Sequence, residues 1–177
     1  MIILKLAIGL FFASLLVSAN DTKDLKTVDY VDLNLYIGKW YEVAAFPQKF
    51  QKDCFCSRAD YTKREDGKIN VVNSCNKGST TGELSTANGY AKIADKKSNS
   101  KLKVTFFWPF FGDYWIIGLD KDYRYAVVSS PDRDTLWILS RQPILEPSLF
   151  EEATEIAQSQ GLDLSRLKFS NNENCSY

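Results

Sequence analysis

The sequence has no histidine among its 177 residues, and its only methionine is Met1. Histidine is the commonest protein ligand of transition metals and the usual general base near neutral pH. Its absence argues against zinc enzymes and against hydrolases that use a Ser-His-Asp triad, and the lack of a second methionine weakens the case for haem. We therefore expect neither a metal nor a cofactor.

An excess of charge of one sign is also missing, because 22 basic side chains balance 22 acidic ones. Proteins that bind nucleic acid need a surplus of Lys and Arg to neutralise phosphates. We expect no nucleic-acid partner. The composition does not distinguish a monomer from a dimer, so the oligomeric state stays open.

Long apolar runs are absent after the N-terminus. The first residues have a basic Lys5, an apolar run over residues 6–16 and small residues at the spacing of a signal-peptidase site, which predicts a signal peptide over 1–19. The remaining residues, 20–177, suffice for a single domain. No cysteine precedes Cys54, so the lipobox cysteine of bacterial lipoproteins is lacking. We expect a secreted or periplasmic protein that is soluble once the signal peptide has been removed.

Cysteine is scarce but even in number: Cys54, Cys56, Cys75 and Cys175. In an exported chain an even number favours two disulfide bonds, and three pairings are possible. A four-cysteine zinc site is the alternative. The Cys-x-Cys spacing is tighter than the spacing of usual zinc ligands, which disfavours that alternative.

Segments rich in β-branched and aromatic residues recur every ten to fifteen positions, separated by polar turns, which predicts an all-β fold. We predict eight strands, near residues 39–46, 55–63, 68–75, 83–94, 101–107, 113–119, 123–129 and 135–141. Eight antiparallel strands can close an up-and-down barrel around one small ligand. Helical periodicity over 146–161 predicts one C-terminal α-helix, and the tail over 167–175 predicts a short ninth strand.

Three short motifs occur in a fixed order along these strands. "IGKWYEVAAF" starts the first strand, "GLDKDYRYAVV" spans the turn before the seventh, and "TLWILSR" ends the eighth. The positions that matter in them are Gly38, Trp40, Asp120, Asp122, Tyr123 and Arg141. This set, followed by a late helix and a terminal cysteine, resembles the signature of the lipocalin family.

The resemblance implies roles for the signature residues. In that family the tryptophan, here Trp40, lies inside the closed end of the barrel, and the glycine, here Gly38, lets the chain turn tightly into the first strand. The basic residue, here Arg141, lies across the indole, a cation–π contact worth roughly 1–2 kcal/mol when partly desolvated. Asp120 and Tyr123 belong to the same closed end.

The segments "GKWYEVAAF", "KVTFFWPFFGDYW" and "SSPDRDTLWILSRQP" are most similar to the bacterial outer-membrane lipocalins and the apolipoprotein D group. Members of these groups bind fatty acids, lysophospholipids and other elongated apolar molecules. The resemblance also implies one disulfide pairing, Cys56 with Cys175 and Cys54 with Cys75. It therefore implies a carrier without catalytic activity that binds and transports or stores a small hydrophobic ligand.

Strand alternation then predicts which side chains face the cavity, once the resemblance has set Arg141 at the barrel base. The predicted ligand contacts are Ala59, Tyr61, Val71, Asn73, Val104, Phe106, Tyr114, Ile116, Ala126, Val128, Trp137 and Leu139. On the fourth strand Ala87, Gly89 and Ala91 leave room. This wall is mostly apolar, with a few polar groups, which suits a long hydrocarbon with one polar end.

Two positions leave alternatives open. Glu42 has the parity of Trp40, so either it faces the cavity or a bulge turns it to solvent. The run "FFWPFFGDYW" has more aromatic residues than one strand pair can direct inward, and either Trp108, Phe110 and Phe111 form a rim that contacts membranes transiently or they pack between loops.

Two other functions fit the same fold. A lipocalin-like enzyme acting on a lipid or carotenoid would depend on Glu42, Tyr61 and Tyr114 as proton carriers. A pigment binder, as among insect and crustacean members of the family, is the second alternative. The lack of histidine disfavours both.

Overall fold

The computed structural model describes residues 24–177. The predicted signal peptide, residues 1–19, lies outside this part of the chain. Within residues 24–177 no helix is both long and apolar enough to span a lipid bilayer.

Nine strands of the described chain form one antiparallel sheet, and eight of them close into a barrel. The strands are β1 (Gly38–Ala45), β2 (Cys54–Lys63), β3 (Ile69–Lys77), β4 (Leu84–Ile93), β5 (Lys101–Phe107), β6 (Phe110–Leu119), β7 (Tyr125–Ser129), β8 (Leu136–Ser140) and β9 (Lys168–Phe169). Strands β2 to β8 pair with their sequence neighbours, and β1 pairs with both β8 and β2. The predicted eight-stranded up-and-down barrel is confirmed.

Adjacent residues of β6, β7 and β8 belong to two different hydrophobic cores. Ile116 and Val128 lie in the core inside the barrel, whereas Ile117, Val127 and Ile138 lie in a core on its outer surface. This is the alternation expected of a strand buried on both faces. The chain therefore supports a cavity on one side of these strands and a helix on the other.

The predicted C-terminal helix is confirmed as α2 (Pro147–Ser159). Pro147 occupies its first turn, where the missing N–H costs no hydrogen bond, and Gly161 follows its end with a φ of +80°. Leu149, Ala153 and Ala157 recur at helical spacing and are buried in the outer core. The helix thus covers the outside of the barrel wall.

Two features differ from the sequence prediction. The ninth strand is only two residues long and pairs with Ala44 and Ala45, and the rest of the tail is held by other contacts, including the disulfide of Cys175. A short helix, α1 (Leu33–Tyr36), precedes β1 and is capped by the Asp32 side chain. Four residues are too few to show a helical period, so the pattern could not reveal α1.

The loops divide between two ends of the barrel. Those after β1, β3, β5 and β7 surround the mouth of a cavity, and we call this the open end. The loops after β2, β4, β6 and β8 lie at the opposite, closed end, together with α1. The start of β1, with Trp40, is therefore at the closed end.

Two disulfide bonds lie at the open end. Cys54 pairs with Cys75 across β2 and β3, and Cys56 pairs with Cys175 of the tail. This is the pairing that the resemblance implied. The backbone N–H of Cys56 also donates to the carbonyl of Asn171, so the tail is fixed along the start of β2.

Candidate ligand-binding cavity

A cavity of about 910 Å³ lies inside the barrel and opens between the loops of the open end. Its wall is predominantly apolar and comes from β1 to β6, β8 and the loops after β1 and β7. This volume lies in the range of pockets that bind drug-sized ligands.

Nine of the twelve predicted ligand contacts lie on the cavity wall. They are Ala59, Tyr61, Val71, Asn73, Val104, Phe106, Tyr114, Trp137 and Leu139. Ala87 and Ala91 are also on the wall, but Gly89 is not. The backbone of Thr105 and the ring of Phe106 pack against Gly89 too closely to admit a Cβ atom. That a ligand touches these residues stays a prediction.

The other three predicted contacts, Ile116, Ala126 and Val128, do not lie on the cavity wall, and here the structure differs from the sequence prediction. They point into the barrel as their parity predicts, but each is fully buried in the inner core, which also contains Trp40 and has Trp137 packed against it. The large indoles and their neighbours fill the barrel at this level. No surface is left there for a ligand.

Sequence reasoning missed two groups of wall residues. Tyr36 from α1 and Leu102 from β5 line the lower wall, and Phe50 and Gln51 from the β1–β2 loop line the mouth. Leu102 shares the parity of Val104, which was predicted, so alternation could have found it. The loop residues carry no periodic signal.

The hydroxyl groups of three tyrosines meet in the wall. The Tyr114 hydroxyl lies 2.7 Å from that of Tyr36 and 3.2 Å from that of Tyr61. The rings of Tyr36 and Tyr61 are stacked, and Tyr114 meets Tyr61 edge-on. Burial raises the pKa of Tyr61 to about 12 and raises the pKa values of Tyr36 and Tyr114 well above the ordinary value. All three remain protonated near neutral pH.

Glu42 lines the cavity, and its carboxylate accepts hydrogen bonds from Ser170 Oγ at 2.6 Å and Gln51 Nε2 at 2.5 Å. The oxygen of the Gln51 amide accepts from Trp137 Nε1 at 3.2 Å. Burial raises the pKa of Glu42, and the two hydrogen bonds partly oppose that shift. A bulge does occur, but it follows Glu42, at Val43, so the side chain stays on the inner face.

Asn73 adds an amide to the wall of the cavity. Its Oδ1 is buried and has no hydrogen-bond partner among the described residues. Buried polar atoms are normally paired, so an unpaired one on a cavity wall marks a polar contact that the protein leaves open.

The closed end is sealed by the contact that the resemblance implied. Trp40 is fully buried, and the guanidinium of Arg141 lies 3.8 Å from the centre of its ring. Arg141 also donates to the carbonyl oxygens of Lys39 and of the last residues of α1. Gly38 has a φ of +98°, which residues with a Cβ atom rarely adopt, so glycine lets the chain turn into β1 beside Arg141.

Asp120 and Tyr123 hold the same end together from the β6–β7 turn. Asp120 accepts four hydrogen bonds, two from the Arg124 side chain and two from backbone N–H groups, and these lower its pKa to about 2. The Tyr123 hydroxyl accepts a hydrogen bond from the N–H of Asp32, the cap of α1. The turn thereby positions α1, which brings Tyr36 to the cavity.

A family model described as a lipocalin-like domain matches residues 31–172 of this sequence. The chain belongs to the lipocalin family. Proteins of this family generally bind and transport small hydrophobic molecules. The resemblance drawn from the three sequence motifs is confirmed.

Relatives of this lipocalin occur in bacteria, plants and animals. It is 37% identical to outer membrane lipoprotein Blc of Escherichia coli over 151 residues. That match covers 84% of each chain. It is 38% identical to temperature-induced lipocalin-1 of Arabidopsis thaliana, over 83% of this chain and 82% of that protein. It is 33% identical to mouse apolipoprotein D, over 81% of this chain and 78% of that protein.

Among solved structures, insecticyanin from the tobacco hornworm Manduca sexta matches with a TM-score of 0.70 and 24% identity, over 88% of this chain and 89% of that one. Lobster apocrustacyanin A1 matches with a TM-score of 0.64 and 20% identity, over 78% of each chain. At these identities the matches establish the lipocalin fold.

Within residues 24–177 no group of three or more Cys, Asp or Glu side chains is placed to hold a metal ion. The residues considered as proton carriers for an enzyme, Glu42, Tyr61 and Tyr114, all line the cavity. Tyr61 and Tyr114 are protonated near neutral pH, so neither can act as a base there.

Large aromatic side chains are exposed around the mouth of this lipocalin barrel. Phe107, Trp108 and Phe110 of the β5–β6 hairpin are 76%, 73% and 72% exposed, and Phe50 from the β1–β2 loop is 69% exposed. We call these four residues the aromatic rim. Phe111, which was expected in the rim, is only partly exposed because it packs edge-on against Tyr90. Phe107, stacked on Phe110, was not expected there.

Proposed function

We propose that this lipocalin binds a single-chain lipid, such as a fatty acid or lysophospholipid, and carries it through an aqueous compartment. The observation that supports this most directly is the open, mostly apolar cavity of about 910 Å³. A relative named as an apolipoprotein supports lipid as the ligand class.

The free energy of burying methylene groups favours a lipid with a long hydrocarbon chain, without strong selection for the length of that chain. Burying about fourteen methylenes contributes roughly 11 kcal/mol at about 0.8 kcal/mol each. Most of this is offset by the loss of translational and conformational freedom on binding. We therefore expect micromolar dissociation constants for sixteen-carbon lipids.

A blocked cavity tests the site directly. Ala87 lines the cavity, whereas Asn88 is its exposed neighbour on β4 and points to the opposite face. Ala87→Trp should weaken hexadecanoic acid binding at least tenfold, measured by intrinsic fluorescence, and Asn88→Trp should leave it unchanged. Equal affinity in the two variants would place the lipid outside the barrel and contradict the proposal.

Native mass spectrometry of protein taken from its own host compartment tests whether a lipid is carried there. We expect an adduct that organic extraction removes and whose mass identifies the lipid class. A protein without adduct that also fails to respond to added fatty acids and lysophospholipids would contradict the carrier function.

We further propose that the aromatic rim contacts membranes transiently when lipid enters. Lys49 and Lys52 are exposed beside Phe50, and such a mixture of aromatic and basic side chains suits the interface of a bilayer. Replacing Phe107, Trp108 and Phe110 with Ser should abolish sedimentation with phosphatidylglycerol vesicles. The matched control replaces exposed Tyr30, Leu35 and Ile144, which lie away from the mouth. Equal sedimentation of both variants would contradict membrane contact.

A further inference from the structure

The three tyrosine hydroxyls in the wall carry one more proton than their mutual hydrogen bonds use. Tyr36, Tyr61 and Tyr114 supply three O–H donors, and two hydrogen bonds join them. Among the described residues these hydroxyls have no further hydrogen-bond partner. One O–H donor is therefore left over in a buried wall that faces the cavity.

Either oxygen of each hydroxyl pair can be the donor, so the position of the free O–H depends on how the three protons are arranged. A tyrosine oxygen can accept two hydrogen bonds and donate one. Tyr114 is the central member, so it can accept from both Tyr36 and Tyr61 and keep its own proton for a third group. In that arrangement the two accepted hydrogen bonds polarise the Tyr114 O–H and make it a stronger donor.

The charge around this cluster favours an electron-rich partner. Arg141, at the closed end, is near enough to all three tyrosines for its charge to act on them. Burial keeps the three phenols protonated, so the cluster presents a hydrogen-bond donor and no negative charge.

We propose that Tyr114 donates a hydrogen bond to a carboxyl oxygen of a fatty acid that lies with its carboxyl group towards the closed end and its chain towards the mouth. This inference rests on the proposed lipid-binding function and adds the ligand class and its orientation. The chain then leaves the cavity past the aromatic rim, where its methylenes meet aromatic rings. In the opposite orientation, a carboxylate would meet a mixed set of charged lining residues, the basic Arg58 and Lys77 and the acidic Glu42, Asp113 and Asp132.

The orientation can be measured with hexadecanoic acid labelled with carbon-13 at its carboxyl group. In the proposed complex, a water-soluble gadolinium chelate leaves the bound carboxyl signal sharp because that group is far from solvent. If the carboxyl group lies at the mouth, the chelate broadens the signal and the proposed orientation is wrong.

The donor can be tested with Tyr114→Phe, which keeps the ring and removes the hydroxyl. We expect affinity for dodecanoic acid to fall roughly tenfold or more, as for a lost hydrogen bond to a charged group. Affinity for dodecylamine, whose ammonium group cannot accept a hydrogen bond, should not fall. Tyr36→Phe should have a smaller effect on the acid, and Tyr125→Phe, on the outer core, should have none.

The outcomes separate this inference from the proposed function. Binding of dodecanoic acid that is equal in Tyr114→Phe and the natural protein would overturn the role of Tyr114 and leave the carrier function intact. Failure of the natural protein to bind either dodecanoic acid or dodecylamine would overturn both.

Discussion

The two ends of the barrel treat large apolar side chains in opposite ways: Trp40 at the closed end is fully buried, whereas Trp108 at the open end is exposed. At the closed end, Ile116 and Val128 fill the interior around Trp40. Towards the open end, strands of the same barrel surround the cavity. Packing density therefore falls along the barrel, and the part without packing is available to a ligand.

Polar groups show the same contrast between the two ends. Asp120 accepts four hydrogen bonds at the closed end, and Arg141 caps the carbonyl groups of α1. On the cavity wall, Asn73 Oδ1 has no partner among the described residues and burial raises the pKa of Glu42. Hydrogen bonds between protein groups thus stabilise the closed end, whereas the cavity wall has polar groups that a ligand can use.

The open end has little packing of its own, so its disulfides should matter most. The Cys56–Cys175 bond closes a loop of 119 residues, and its removal by Cys56→Ser with Cys175→Ser should cost roughly 5 kcal/mol in the chain-entropy model. The Cys54–Cys75 bond closes 21 residues and should cost roughly 3 kcal/mol. Urea unfolding measures both, and a larger loss from the shorter loop would contradict this account.

Exchanging the two tryptophans for alanine tests the contrast in packing. Trp40→Ala should lower the free energy of unfolding by roughly 3–5 kcal/mol, because it leaves a large cavity and removes the ring beneath Arg141. Trp108→Ala at the exposed rim should change it by less than about 0.5 kcal/mol. Similar losses in urea unfolding would show that the rim is packed in solution.

The sequence was enough to predict the barrel, the helix and the closed end. Alternation of apolar residues defined the strands, and the motifs around Trp40, Tyr123 and Arg141 are local enough to recognise without a structure. Alternation also predicted correctly that Ile116 and Val128 point inward. It could not predict their depth, because parity specifies a face of a strand and says nothing about which level its neighbours fill.

The rest of the cavity depends on features with no periodic signal. Phe50 and Gln51 reach the wall from an irregular loop, and Tyr36 reaches it from a helix of only four residues. Glu42 lies just before a bulge, so the sequence left its direction open until the position of the bulge was known. These side chains are placed by tertiary contacts between segments far apart in the chain.

The two buried carboxyl groups should respond to pH in opposite directions, beginning with Asp120. Hydrogen bonds lower its folded-state pKa to about 2, so its stabilisation is present above the unfolded pKa near 3.9 and is lost as pH falls through 2. Asp120→Asn should cost roughly 1–2 kcal/mol at pH 7, since the half-exposed Arg124 is screened by solvent. The difference from the natural protein should shrink as pH falls through about 2, and Asp122→Asn serves as the exposed control.

Glu42 should give the smaller and opposite effect. Its folded-state pKa is raised by burial, so the folded protein holds this proton more tightly than the unfolded chain does. The free energy of unfolding should therefore fall as pH rises from about 4.3, the unfolded value, through the raised folded value. Glu42→Gln cannot titrate and should lack this fall, while its stability at pH 7 stays within about 1 kcal/mol of the natural protein because the amide still accepts one hydrogen bond. If the natural protein instead gains stability over that pH range relative to Glu42→Gln, the hydrogen bonds from Ser170 and Gln51 affect the pKa of Glu42 more than burial does. Hydrogen bonds would then lower the pKa of this carboxyl group, as they do for Asp120 at the closed end.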